Sequence, residues 1–215
     1  MKKYIQCSIL IAICIKISIT LSFFSSVYTN FIWKKYFVGA DTDTYTTIFY
    51  TYPVLVGLLA TFYNPKNYGL LPAKTLEYWK ICLLWTLIII VPILTYLKTG
   101  PTTPFHGMTW QVFILAPIGE ELIFRGAFFT WINQVLKDIF TDNEKIIMIW
   151  TIIFSAVSFG AWHISNITVE PNFTLFQVAY TTMIGFVLGY LRYKTKSIYT
   201  GIFIHIIINF LATVS

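Results

Sequence analysis

Residues 112–136 read VFILAPIGEELIFRGAFFTWINQVL, and this stretch decides the fold. As a helix it is long and apolar enough to cross the roughly 30 Å hydrocarbon core of a bilayer, which takes about 20 residues. It nevertheless contains Glu120, Glu121 and Arg125. A charged side chain at the centre of such a helix costs roughly 2.5–3.5 kcal/mol, so other groups in the protein must compensate for these three. The stretch therefore predicts a membrane-embedded helix that packs within a bundle.

The composition extends this prediction to the whole chain. Its 215 residues are 57% hydrophobic and 11% charged, with a mean hydropathy of +0.70, whereas a soluble domain is about 25% charged. The pattern predicts an all-α, polytopic transmembrane helix bundle of about seven spans, within a range of six to eight. Apolar runs of spanning length occur at Tyr4–Phe24, Thr46–Tyr63, Ile81–Leu97, Val112–Leu136, Ile146–His163, Leu175–Tyr193 and Ile198–Val214.

The basic residues are scattered between the apolar runs, and this distribution bears on topology. With the N-terminus in the cytoplasm, most of them fall in cytoplasmic loops, as the positive-inside rule expects. We therefore predict a multi-pass protein of the cell membrane with a cytoplasmic N-terminus. Because the basic residues form no patch, we expect the lipid bilayer and no nucleic acid as a partner. Cys7, Cys14 and Cys82 show no metal-type spacing and are interpreted as packing residues.

The charged residues of the 112–136 stretch divide by helical geometry. Glu121 and Arg125 are four residues apart, so they share a helix face in the orientation that favours an ion pair. Glu120 is turned about 100° away and has no partner nearby in sequence. Pro117, just before the acids, is expected to loosen the helix there. Two interpretations remain open: Glu120 is a general base, or both glutamates serve Arg125 in a structural ion cluster.

Two later spans carry further polar residues. His163 follows Phe159 by one turn, and His205 and Asn209 lie four residues apart in the last span, on one face. A single histidine in such a helix is more often a hydrogen-bond donor between helices than a catalytic group. The charged and polar residues nevertheless lie on three separate spans, which favours a common site.

These residue types suit the hydrolysis of a peptide bond. The reaction needs an activated water, stabilisation of the oxyanion and a proton for the leaving amine. Glu120 and His163 can supply the base and the acid, while His205 and Asn209 can form the oxyanion hole. Two histidines and a glutamate can also bind zinc. Because the chain lacks H-E-x-x-H and the ligands would come singly from three helices, we predict hydrolysis without a metal or cofactor.

The motifs resemble those of a known family. Three of them occur in order: E-E-x-x-x-R from Glu120 to Arg125, F-x-x-x-H from Phe159 to His163, and H-x-x-x-N from His205 to Asn209. Together they resemble the CPBP family of CAAX proteases and bacteriocin-processing enzymes, also called the Abi family. The resemblance implies a glutamic intramembrane endopeptidase.

In such an enzyme the residue matching Glu120 activates water with the help of the one matching His163. The residues matching His205 and Asn209 stabilise the oxyanion. Those matching Glu121 and Arg125 support the site.

The resemblance covers about Val112–Leu211. It predicts two parts: residues 1–110, with N-terminal helices and no recognised motif, and residues 111–215, a CPBP-like catalytic core. The expected partner is a membrane-delivered peptide or protein substrate. The small size favours bacteriocin or signalling-peptide processing, or self-immunity, over prenyl-CAAX processing. The sequence leaves the oligomeric state open.

Two other functions remain open. A non-catalytic bacteriocin immunity or scaffold protein would use the same polar residues as a buried network. A transporter would also place carboxylates and histidines in its helices, but the expected symmetry between two halves is not visible.

One geometric problem concerns His163, which falls near the outer end of its predicted span while Glu120 and His205 lie near the middle of theirs. The problem is removed if that helix begins later than Ile146, near Trp150, and continues past Asn166. We therefore predict these boundaries.

Overall fold

The computed structural model describes residues 2–37, 39, 42–73, 80, 82–88, 90, 110–140, 143–168 and 171–214. These residues form helices and contain no β-strand, so the all-α prediction is confirmed. The helices are α1 (Lys2–Tyr36), α2 (Thr42–Thr61), α3 (Trp110–Glu121), a π-helix (Leu122–Phe128), α4 (Phe129–Ile139), α5 (Glu144–Trp162), a 3-10 helix (His163–Thr168), α6 (Pro171–Thr195) and α7 (Tyr199–Val214). Residues 82–88 are also helical.

The helices match six of the seven predicted spans, and the seventh, Ile81–Leu97, lies mostly outside the described residues. Within the described part, Lys2–Tyr36, Glu144–Ile167 and Phe173–Thr195 are long and apolar enough to cross a membrane. Tyr199–Leu211 forms a shorter apolar helix. The chain is therefore a helical membrane protein.

Helix α1 continues to Tyr36, whereas Phe24 was predicted as its end. No proline or glycine interrupts residues 25–36. The hydroxyl of Thr29 donates to the carbonyl of Ser25 at 2.8 Å, and that of Ser25 to the carbonyl of Phe49 in α2 at 3.2 Å. These bonds let polar residues extend the helix against its neighbour.

One face of α1 packs into the bundle, and its buried residues recur every three or four positions. They are Cys7, Leu10, Cys14, Ser18, Ser22, Ser25 and Thr29. Cys7 and Cys14 join a core that includes Phe124 and Phe154. All three cysteines are buried and unbonded, as expected for packing residues. Lys16 points away from this face and is exposed.

Helices α5 and α6 approach each other closely at the G-x-x-x-G pair of α6. A Cβ atom at Gly185 would lie 2.9 Å from the Cα of Ala156, and one at Gly189 would lie 3.3 Å from Cγ2 of Ile152. The small residues of this motif let the two helix backbones approach closely. Likewise, a Cβ at Gly119 in α3 would lie 2.8 Å from the backbone nitrogen of Val54 in α2.

The stretch at 112–136 forms one continuous rod from α3 through the π-helix into α4. Helix α3 passes through Pro117, and the helix widens only after the acids, at Leu122. Side chains from two other helices hold the widened segment. Ser155 donates to the carbonyl of Phe124 at 3.0 Å, and Nε of Arg192 donates to the carbonyl of Arg125 at 2.9 Å. A π-helical segment of this kind is frequently found at functional sites.

Candidate active site

Glu121 and Arg125 form the predicted ion pair across this widened turn. Glu121 Oε1 lies 3.0 Å from Arg125 Nη1, and both side chains are fully buried. The guanidinium of Arg125 also lies 4.2 Å from the ring centre of Phe159 in α5. An aromatic face attracts a cation, and more strongly where water is excluded. One carboxylate and one aromatic ring therefore compensate the buried charge of Arg125.

Glu120 points in a different direction, towards α7. Its Oε2 lies 3.7 Å from Nε2 of His205, and Nδ1 of the same histidine lies 3.4 Å from Oε1 of Glu121. His205 therefore lies between the two carboxylates. Glu120 is 7% exposed and lines a cavity of about 130 Å³, a volume sufficient for several water molecules. This placement favours a base facing a cavity over a second carboxylate paired with Arg125.

His163 lies at the junction of α5 and the 3-10 helix and lines the same cavity. Its Nδ1 lies 3.0 Å from the carbonyl oxygen of Phe159. A carbonyl only accepts hydrogen bonds, so this contact places a proton on Nδ1. In the neutral ring, Nε2 is then the acceptor nitrogen.

The boundary prediction for this helix was half right. Helix α5 begins at Glu144, well before Trp150, because Asn143 caps it by accepting a hydrogen bond from the backbone N–H of Ile146 at 3.1 Å. Helical structure does continue past Asn166, but as the 3-10 helix. His163 and Glu120 reach the same cavity without the later start.

Asn209 also lines the cavity, and its side-chain amide forms a hydrogen bond to another helix. Nδ2 donates to the carbonyl of Val112 at 3.0 Å, which connects α7 to the start of the helix that carries Glu120. Asn209 thus joins two helices of the site and borders its cavity.

The lining comes from α1, α2, α3, α5 with the 3-10 helix, α6 and α7, so two of the contributing helices belong to the first half of the chain. The polar and aromatic lining residues that the sequence did not single out as site residues are Ser22, Phe49, Tyr50, Trp162, Asn166, Gln177, Tyr180 and Thr181. Charge marks Glu120 within an apolar helix, but uncharged tyrosines and amides occur throughout this chain and give no comparable signal. The only available sign was that Trp162 and Asn166 lie close to His163 in sequence.

Phe159 has a larger structural role than its place in a motif suggested. Besides facing Arg125, its ring packs edge-on against His163 at 5.2 Å and against His205 at 5.6 Å between ring centres. The ring is 1% exposed. Phe159 therefore sets the relative positions of three polar side chains from three helices.

The described residues include no group of three histidine, cysteine, aspartate or glutamate side chains placed to hold a metal ion. The metal-independent mechanism remains a prediction that needs its own test.

Comparison with known protein families shows to which family the chain belongs. A family model described as "Type II CAAX prenyl endopeptidase Rce1-like" matches residues 102–211, about half of the chain and all three motifs. The chain belongs to this family. Rce1-like proteins are membrane proteases of the CPBP group, so the resemblance drawn from the motifs is confirmed. No curated protein and no solved structure matches the chain.

Proposed function

We propose that this Rce1-like protein is a metal-independent glutamic endopeptidase that cleaves a membrane-associated peptide or protein within the bilayer. One observation carries the proposal. Glu120, His163, His205 and Asn209, which come from three separate motifs, line a single cavity inside the helical bundle. A catalytic site requires this convergence, and sequence spacing alone does not produce it.

In the proposed reaction, Glu120 is the general base. It takes a proton from a water molecule as the water oxygen bonds to the scissile carbonyl carbon. The carbonyl becomes an oxyanion, and the proton taken by Glu120 then passes through Nε2 of His163 to the amide nitrogen as the C–N bond breaks. A positioned acid or base of this kind contributes about 10²–10⁴-fold to a rate.

His163 assists at the water. Because its Nδ1 faces the carbonyl of Phe159 at 3.0 Å, the neutral ring has an unprotonated Nε2. That nitrogen can accept a hydrogen bond from the attacking water and orient it towards the carbonyl carbon. Once protonated there, the same nitrogen can serve as an acid for the leaving amine, the role that the sequence suggested.

We assign oxyanion stabilisation to His205 and Asn209. The side chains of Asn209 and His205 both line the cavity, and His205 lies at its carboxylate side. Donors held in place before the reaction stabilise a developing charge without reorganisation. Glu121 and Arg125 act as positioning residues, since their fully buried pair holds His205 beside Glu120.

Two classes of substrate are compatible with this proposed activity. The family name denotes prenyl endopeptidases, while the resemblance to CPBP proteins also admits processing of a bacteriocin or signalling peptide, or self-immunity. We propose a cell-membrane protein with a cytoplasmic N-terminus that receives its substrate from the bilayer. A farnesylated peptide ending in a CAAX sequence and an unmodified bacteriocin leader peptide, offered side by side, distinguish the two substrate classes.

The test uses the purified full chain in lipid nanodiscs with these two peptides. We expect cleavage of at least one of them, at the same rate with and without a metal chelator. Cleavage that the chelator abolishes and zinc restores would contradict the metal-independent mechanism. If neither these peptides nor a library of membrane peptides is cleaved, the endopeptidase proposal fails and the non-catalytic alternative is favoured.

A further inference from the structure

A second cavity, of about 660 Å³, lies away from the proposed active site and shares no lining residue with it. Its wall is strongly basic. Five cationic side chains and one carboxylate line it: Lys66, Lys137, Arg192, Lys194, Lys196 and Glu144. We name it the basic cavity. The function proposed above uses none of these residues.

The basic cavity lies at one end of the membrane helices. Glu144 is the first residue of the candidate span Glu144–Ile167, and Thr195 is the last residue of the span Phe173–Thr195. Both line the cavity, as do the apolar side chains of Phe129 and Ile147. A cavity at this level meets the zone where lipid headgroups adjoin hydrocarbon.

Arg192 is the strongest indication that the basic cavity is a binding site. It is 5% exposed, and no described carboxylate lies within ion-pair distance of it. Its Nε and Nη2 donate to the carbonyls of Arg125 and Asn67 at 2.9 and 2.7 Å. The two carbonyl dipoles and the ring of Phe129, whose centre lies 5.5 Å from the guanidinium carbon, stabilise the cation. No described carboxylate neutralises it, and burial of a charge without an ionic partner is costly.

The neighbouring loop leaves room for the guanidinium of Arg192 and fixes its position. A Cβ atom at Gly69 would lie 2.7 Å from Nε of Arg192, and the φ of Gly69 is +79°. Glycine adopts such a left-handed conformation without strain. The hydroxyl of Thr130 also donates to the carbonyl of Asn67, at 3.1 Å, and fixes the same loop. Arg192 is therefore held in one position at the cavity wall.

The lysines of the basic cavity experience one another's charge. Partial burial lowers the pKa of Lys196, and the charges of Arg192, Lys137 and Lys194 lower it further, while Glu144 opposes them. A topological bias towards basic loops explains lysines at a membrane surface. It does not explain why they converge on a cavity around a buried arginine. A bound anion would offset part of this net positive charge.

We propose that the basic cavity binds the phosphate group of an anionic phospholipid headgroup. Phosphate is the anion that a guanidinium with neighbouring ammonium groups recognises well, and basic pockets between membrane helices bind such headgroups. The position at the end of two spans favours a lipid over free phosphate, because the apolar part of the wall can receive the glycerol and the first carbons of the acyl chains.

The experiment measures lipid retention by the full chain with native mass spectrometry. The protein is reconstituted in nanodiscs of phosphatidylcholine alone or with phosphatidylglycerol, and glycerol 3-phosphate is added separately as a competitor. The test variant is the double substitution Lys137→Ala and Lys196→Ala, since both side chains are exposed and their loss should not unfold the protein. The matched control is Lys35→Ala with Lys145→Ala, two exposed lysines outside the cavity.

We expect the wild-type protein and the control to retain phosphatidylglycerol in preference to phosphatidylcholine. The cavity variant should bind phosphatidylglycerol roughly thirtyfold more weakly, the effect of two lysines near an anionic lipid. Equal retention by the cavity variant and the control would overturn the proposal. Displacement of phosphatidylglycerol by glycerol 3-phosphate at a similar concentration would overturn the assignment to a lipid and indicate a soluble phosphate ligand.

Discussion

Gly201 of α7 lies directly against the carboxylate of Glu121, where a Cβ atom would come 2.6 Å from Oε2. Glu121 is not free to retreat, because Arg125 holds its other oxygen at 3.0 Å. The absence of a side chain at position 201 therefore lets α7 bring His205 to the two glutamates.

This contact predicts that Gly201→Ala destabilises the protein by about 1–3 kcal/mol, the usual cost of overpacking, and lowers peptidase activity. Thermal unfolding in detergent and peptide cleavage measure the two effects. Gly189→Ala is the matched control, since the nearest atom to its Cβ would be Cγ2 of Ile152, at the longer distance of 3.3 Å. Equal melting temperatures for the two variants would contradict the close approach.

Phe159→Leu tests the aromatic face that covers Arg125. Phe154→Leu is its control, because both rings are 1% exposed in the same helix, but the contact with Arg125 belongs to Phe159. Both variants lose packing, and Phe159→Leu should lose about 1–2 kcal/mol more through the missing cation–π contact. It should also lower activity, because His163 and His205 pack on the same ring. Equal unfolding free energies for Phe159→Leu and Phe154→Leu would contradict a stabilising contact between Phe159 and Arg125.

Asn209→Ala distinguishes two roles for this side chain: stabilisation of the oxyanion, and a hydrogen bond that only joins two helices. Asn133 is the comparison, since its Nδ2 makes an equivalent bond to the hydroxyl of Thr151 at 3.2 Å outside the active-site cavity. Each alanine variant should lose about 1–3 kcal/mol of stability. Only Asn209→Ala should also lower kcat, by about 10²–10³-fold, with KM little changed. A kcat equal to that of Asn133→Ala would leave Asn209 with a structural role alone.

The sequence was sufficient to predict the helices and the Glu121–Arg125 pair, because hydropathy and i, i+4 spacing are local properties. It did not predict the π-helix at Leu122–Phe128, whose carbonyls are bound by Ser155 and Arg192 from distant positions. The extension of α1 to Tyr36 likewise depends on a contact with α2.

The site was predictable only in part for the same reason. Charge and motif spacing identified Glu120, His163, His205 and Asn209, and the structure brings them to one cavity. Tyr50 and Ser22 reach that cavity through the packing of α1 and α2, which the motifs do not encode. The division at residues 110 and 111 therefore remains a prediction, and the first part contributes to the wall of the site.

Glu120 is the proposed general base. Its most direct test is the rate at which purified Glu120→Gln protein in nanodiscs cleaves the peptide that the wild-type protein cleaves. Glutamine keeps the size of the side chain but cannot take the proton from water, so we predict a rate about 10²–10⁴-fold lower with an unchanged melting temperature. Glu144→Gln, at an exposed carboxylate outside the active-site cavity, should retain full activity. Undiminished cleavage by folded Glu120→Gln protein would contradict the account.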